Sequence, residues 1–395
     1  MNPHRDPRHI EDMVRKYGTP LYIYDTKVLQ SQAVSLQDAL GGAALYYSLK
    51  ANPNKHVVET LRKAGCRVEV ASKGELERAL EAGYSPTDII FIGPGKTVEE
   101  LRRASEVGIQ YFVVDSEDEL QLLSEQTTVR EILLRVNPDF EASGGKLTMS
   151  GGKPKQFGVE RAQVGNFVGR ARKLGLDVVG LHYYLGTRFL EASDLVQNTK
   201  SILEDAREIQ RETDLELRML DMGGGFGIPY FGVESDLDLN LLKTGIIDCI
   251  KQARAWFPKA ELAFESGRYL TAECGRLVLQ VLTTKTSYGT RFCVCDGGTN
   301  LNMAAIGVGG IGKRNFPSWC VRFDGDSTAK LEAGDQPVTV TGPLCTPDDV
   351  LLKDVQWSMV PKRGDLVVLD NVGAYGPSAS PHSFLGHDYP TEVVV

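Results

Sequence analysis

The chain lacks any run of 18 or more apolar residues, which excludes a membrane-spanning helix of ordinary length. Spare positive charge is missing too. The formal net charge is -8, and nucleic acid or an anionic membrane as a main partner would need a basic footprint. Paired cysteines are absent: the seven present are scattered and odd in number, the usage expected of a reduced, cytoplasmic protein. Cys293 and Cys295 stand two apart, but on a strand that spacing only puts them on one face. No second ligand pair follows, so no metal is expected. The polar opening MNPHRDPRHIEDMVRKYG does not read as a signal peptide. Repeats, low-complexity segments and long linkers do not stand out. What remains is an ordinary globular composition, 42% hydrophobic and 24% charged, over 395 residues, which is ample for two domains.

Apolar runs that read as strands recur through the first two thirds: AALYYSLK (43–50), RVEVAS (67–72), IIFIGP (89–94), YFVVDS (111–116), EILLRVN (131–137), VVGLHYYLG (178–186), RMLDMGGG (218–225) and ELAFESG (261–267). Segments of helical periodicity separate them. Ser72 with Glu75, and Ser116 with Glu119, carry a capping-box signature. Eight strand–helix units in series predict a closed parallel (β/α)8 barrel over 26–270. After Tyr269 the texture changes to strands broken by turn residues, without amphipathic helices between them. That predicts an all-β domain over 271–395, with residues 1–25, including the early TPLYIYD strand, joining it.

Active sites of such barrels lie at the C-terminal ends of the strands. There the chain carries Lys50, read as the last residue of strand one, then Glu69, Asp115, Arg135 and Asn137. His182, Tyr184 and Thr187 follow on strand six, Gly223 to Gly225 after strand seven, and Glu265, Gly267 and Arg268 on strand eight. A snorkelling amine is the ordinary explanation of one strand-end lysine. Here it stands with a strand-end carboxylate and a glycine turn whose N–H groups can converge on an anion. Together they suggest pyridoxal 5'-phosphate, which needs a lysine for covalent attachment, an acid for its pyridine nitrogen and a phosphate cradle.

In this order the motifs YYSLKANPN, VEVASKGEL, LDMGGGFGIPY, ESGRYL, GPLCTPDDVL and NVGAYG resemble those of the fold-type III decarboxylases of diaminopimelate, ornithine and arginine. The resemblance covers nearly the whole chain and implies roles residue by residue. Lys50 would attach the cofactor and Glu265 would pair with its pyridine nitrogen. Thr187, Gly225, Arg268 and Tyr375 would bind its phosphate, with Gly224 and Gly267 also in the cofactor site. Arg135 and Tyr184 would flank the ring, with Glu69 at its edge. Cys345 would protonate Cα after carbon dioxide leaves, and it would come from the partner subunit, implying a homodimer with shared active sites. Thr346 and Asp348 fall where the substrate's far end is held.

Departures from the family pattern bear on the substrate. Tyr184 stands where familiar members stack a histidine on the cofactor, with His182 two residues earlier. Thr346 replaces the acid that holds a distal amine, Ala304 stands where diaminopimelate decarboxylases carry an arginine, and Glu69 replaces an aspartate. The pattern is similar to the branch found in natural-product, siderophore and exopolysaccharide pathways, including the butirosin-pathway decarboxylase of a carrier-bound glutamyl group. The resemblance thus implies a tethered or capped L-amino acid, with an acyl-carrier protein as partner. Decarboxylation of a free diamino acid is the alternative. A fold-type III racemase is more remote, because it would place a tyrosine where this chain has GPLCTPDD.

Overall fold

The eight apolar runs become eight strands: β1 (Ala44–Ser48), β2 (Arg67–Val70), β3 (Ile89–Phe91), β4 (Tyr111–Val114), β5 (Glu131–Asn137), β6 (Asp177–His182), β7 (Met219–Asp221) and β8 (Glu261–Ser266). The computed structural model describes residues 6–145, 147–232, 234–307, 315–323 and 337–395. The end of the CDGGTNLNMAAIGVGG segment, 308–310, therefore lies outside the described residues. Each strand pairs in parallel with the next, and β8 pairs with β1, so the sheet closes into the expected barrel.

Capping signals act as anticipated, with one refinement. Ser72 and Ser116 accept from the N–H of Glu75 and Glu119. The glutamates reach one residue further back than a capping box does, to the N–H of Ala71 and Asp115. Inside the barrel, alternate residues of successive strands meet in one apolar layer of Tyr46, Ile90, Tyr111, Val113, Leu133, Met219 and Ala263. This layer plugs the barrel, so any chemistry must lie above it.

A second compact unit comprises Met1–Val28, Pro229–Glu234 and Thr271–Val395, while the barrel unit comprises Leu29–Ile228 and Ser235–Leu270. In the second unit Leu21–Tyr24 pairs antiparallel with Gly275–Ser287 and parallel with Thr391–Val394. Its core gathers Ile10, Met13 and Val14 of a capped N-terminal helix against Leu21, Ile23, Val278, Val321, Leu366 and Val368. No helix among the described residues is long and apolar enough to cross a membrane.

Candidate active site

Two residues beyond the apolar layer the same inward face turns polar. Strand alternation places Ser48 two past Tyr46, Asp115 two past Val113, Arg135 two past Leu133, Asp221 two past Met219 and Glu265 two past Ala263. Register adds His182 beside Arg135 and Glu69 beside Ser48. All seven are buried. Strand periodicity and register thus build a floor of polar groups, six of them ionisable.

Ser48 Oγ donates to Glu69 Oε2 at 2.6 Å, and Lys50 Nζ donates to Glu69 Oε1 at 3.2 Å. Lys50 is not the last residue of the strand, which corrects the sequence reading. β1 ends at Ser48, and Leu49–Ala51 form one 3-10 turn. The ANPN sequence stops the strand pattern, and the turn sets the amine over the floor, within reach of Glu69. The Lys50 side chain is 43% exposed against 2% for Glu69, and its Nζ lies 6.0 Å from the centroid of the Tyr184 ring. An amine meant to react needs this access.

His182 Nε2 lies 2.9 Å from Glu265 Oε1. Burial, with Arg135 acting in the same direction, pushes the imidazole down to about 3, so it is neutral and donates Nε2–H to the carboxylate. Burial also raises the carboxyls of Glu69 and Glu265, and raises that of Asp221 well above the usual range. Asp221 Oδ1 accepts from the N–H of Gly223 at 2.9 Å. Asp115 accepts from the N–H of Gly158 at 2.7 Å and lies 3.8 Å from Arg135 Nε, while the Arg135 guanidinium stands 4.6 Å from the Phe157 ring centroid. The KQFG segment is thereby tied to the floor.

At the other end, Gly186–Thr187 pairs with Leu147–Thr148 and leads into a bridge between Phe189 and Phe226. Close backbone packing demands the glycines here. A Cβ on Gly224 would come within 2.1 Å of the Glu265 carbonyl oxygen, and one on Gly225 within 2.4 Å of that of Gly186. Thr187, Gly224 and Gly225 are thus brought together, and Gly267 packs close to Ser48 and Ala51 beside Lys50. Arg268, buried, opens the short helix Arg268–Thr271. Arg188, which no motif marks, is a buried arginine with left-handed backbone (φ 62°) next to Thr187. A non-glycine residue held there is uncommon, and only the backbone reveals it.

In the second unit Cys345 is exposed at the tip of a loop. Buried Asp349 holds that loop, accepting from the Thr299 N–H at 2.7 Å, the Thr299 hydroxyl at 3.0 Å and the Leu344 N–H at 2.8 Å. The sequence singled out its neighbour Asp348, which is exposed. Thr346 is half-buried and Ala304 buried, and Tyr375 has left-handed backbone (φ 56°).

The chain belongs to the pyridoxal-dependent decarboxylases, whose pyridoxal binding domain matches residues 26–272. It is 36% identical to the L-glutamyl-[BtrI acyl-carrier protein] decarboxylase of Niallia circulans, over 98% of this chain and 91% of that one. It is 31% identical to the 2-[(L-alanin-3-ylcarbamoyl)methyl]-2-hydroxybutanedioate decarboxylase of Staphylococcus aureus, over 93% and 92% of the two chains. The solved structure of Helicobacter pylori diaminopimelate decarboxylase complexed with L-lysine matches with a TM-score of 0.81 at 26% identity, over 94% of this chain and 90% of that one. Pyridoxal phosphate is therefore the cofactor, and the residues present fit it. An accessible amine beside buried carboxylates suits its carbonyl and ring nitrogen. A turn too tightly packed for side chains leaves backbone N–H groups for its phosphate.

Proposed function

We propose that this decarboxylase removes the α-carboxylate of an L-amino acid whose far end is capped, a glutamyl thioester on an acyl-carrier protein being the leading substrate. The observation that carries the reading is the uncharged pair Thr346 and Ala304, at the two places where a free diamino acid would need a charged partner. The Niallia relative acts on a glutamyl group of a carrier protein, and the Staphylococcus relative on an alanine joined through position 3 to a carbamoyl group, so both names describe capped amino acids.

The cofactor supplies the electron sink for the breaking Cα–carboxylate bond. The chain's own residues do the rest. Lys50 would hold the cofactor covalently and release it to the substrate amine, and Glu69 holds the Lys50 amine in place. Glu265 would pair with the ring nitrogen, Arg135 and Tyr184 would flank the ring, Thr187, Gly225, Arg268 and Tyr375 would hold the phosphate, and Gly224 and Gly267 would belong to the same cofactor site. Cys345 gives the proton to Cα, from the partner subunit of a head-to-tail homodimer, and Thr346 and Asp348 lie by the substrate's far end.

A screen of free and carrier-loaded amino acids, read as loss of one carbon dioxide by mass spectrometry, tests the reading. Turnover of the carrier-loaded glutamyl group supports it. Turnover of free diaminopimelate at a comparable rate would mean that no cap is required.

A further inference from the structure

Two buried acids meet on the floor of the barrel, and one of them has an oxygen that no donor serves. Asp221 is fully buried at the end of β7. Its Oδ1 takes the Gly223 N–H, and its Oδ2 has no hydrogen-bond partner among the described residues. One atom each from Asp221, Glu265 and His182 lies within 4.8 Å of the others, and His182 already donates to Glu265. Two carboxylates this close in a dry site do not both ionise at low cost; one keeps a proton.

The neighbours decide which. Lys50, Arg135 and His182 all favour the anion on Glu265. Asp221 is faced by Glu265 and Glu69, both acidic, and its remaining partner is the Gly223 N–H. His182, for its part, is faced by Arg135, Glu69, Asp115 and Lys50. Three donor atoms at this spacing also suggest a metal ion, but Lys50 and Arg135 already supply positive charge to the same carboxylates.

We propose that Asp221 is a neutral carboxylic acid that donates its Oδ2 proton to Glu265 while its Oδ1 holds the Gly223 N–H. Asp221 is then a positioning residue. Glu265, receiving hydrogen bonds from both His182 and Asp221, is fixed as a single anion for the ring nitrogen. The same Asp221 side chain fixes the start of the glycine turn meant for the phosphate, so the two ends of the cofactor site are set together. This holds whichever amino acid is the substrate.

Asp221→Asn tests it, because an amide reproduces a neutral acid: its NH2 donates to Glu265 and its carbonyl accepts from Gly223. Asp221→Ala removes both bonds. The readouts on holoenzyme need no substrate: the cofactor dissociation constant, and the cofactor absorption spectrum between about pH 6 and about pH 9, where the groups titrating in water differ. Asp221→Asn should keep affinity within about threefold of the parent, less than the usual net worth of one hydrogen bond, with an unchanged spectrum at each pH. Asp221→Ala should weaken binding roughly ten- to a hundredfold, the scale found when a residue that orients a ligating group is lost. If the alanine variant does not fold, the infrared difference between parent and Asp221→Asn decides, and it should contain the carbonyl stretch of a protonated carboxylic acid. An Asp221→Asn protein that is folded yet binds cofactor as poorly as the alanine variant would overturn the proposal. So would a difference spectrum showing only an ionised carboxylate.

Discussion

Glu69 serves two neighbours at once, with one oxygen on the Ser48 hydroxyl and the other on the Lys50 amine. The same carboxylate is buried, so its charge is sustained by those donors. Glu69→Gln keeps the shape and removes the charge, and it should slow attachment of added cofactor about tenfold, the worth of a charge-assisted hydrogen bond. Rapid-mixing absorbance measures this, and an unchanged rate would remove Glu69 from the site. His182 gives a pH prediction. Its folded value lies near 3 and its unfolded value near the ordinary 6.5, so the unfolded chain binds more protons between them. Stability must therefore fall as pH drops through that window, with no penalty from this group above it. His182→Gln should flatten the drop between about pH 7 and about pH 4 in denaturant midpoints, whereas an equal acid loss would contradict the assignment. At this scale the sequence was only partly legible. Lys50, Glu265 and Arg268 stand at or just past the ends of apolar runs, where a charge is conspicuous. Asp221 and His182 fall in the middle of their apolar runs and look like packing until the structure ends β7 and β6 at them and the register shows their facing partners. Asp348 and Asp349 are adjacent acids on a loop, and nothing in the sequence tells which one is buried.

The strands were legible because parallel barrel strands are nearly continuous apolar runs, and all eight form where those runs lie. The 3-10 turn at Leu49–Ala51 was not, since one turn leaves no period to read. Nor was the role of Lys96, a lysine in a GPGK loop. Its buried amine donates to the carbonyls of Gly93 at 2.8 Å and Val113 at 2.6 Å, and to Glu119 at 2.5 Å. That joins the loop after β3, strand β4 and the helix Glu117–Gln126, directly behind Asp115. Removing one partner of a buried pair strands the other. Lys96→Ala should destabilise by about 3 kcal/mol or more, read from denaturant melts. A loss below about 0.5 kcal/mol, ordinary for a surface change, would refute the structural role.

For the whole molecule, the exposed Cys345 belongs to a unit separate from the barrel that carries Lys50. If the thiol serves the partner's site, two crippled proteins can repair each other. Lys50→Ala mixed with Cys345→Ala after subunit exchange should recover up to about a quarter of parental activity, from heterodimers with one intact site. No recovery despite demonstrated exchange would place the thiol in its own subunit's site or outside it. Substrate choice is also a property of this scale, because it concerns what the site lacks. Thr346 and Ala304 are visible in the sequence, but their meaning came only from where charged residues stand in the resembling family.

The central claim is that the far end of the substrate is capped. An equimolar mixture of glutamyl-loaded carrier protein and free diaminopimelate, incubated with one enzyme sample, gives the ratio of the two kcat/KM values directly from the ratio of decarboxylated products. The carrier-bound product should exceed the free one by about a hundredfold or more, the discrimination expected when a charged group finds no partner. Equal amounts, or an excess of lysine from diaminopimelate, would contradict the account.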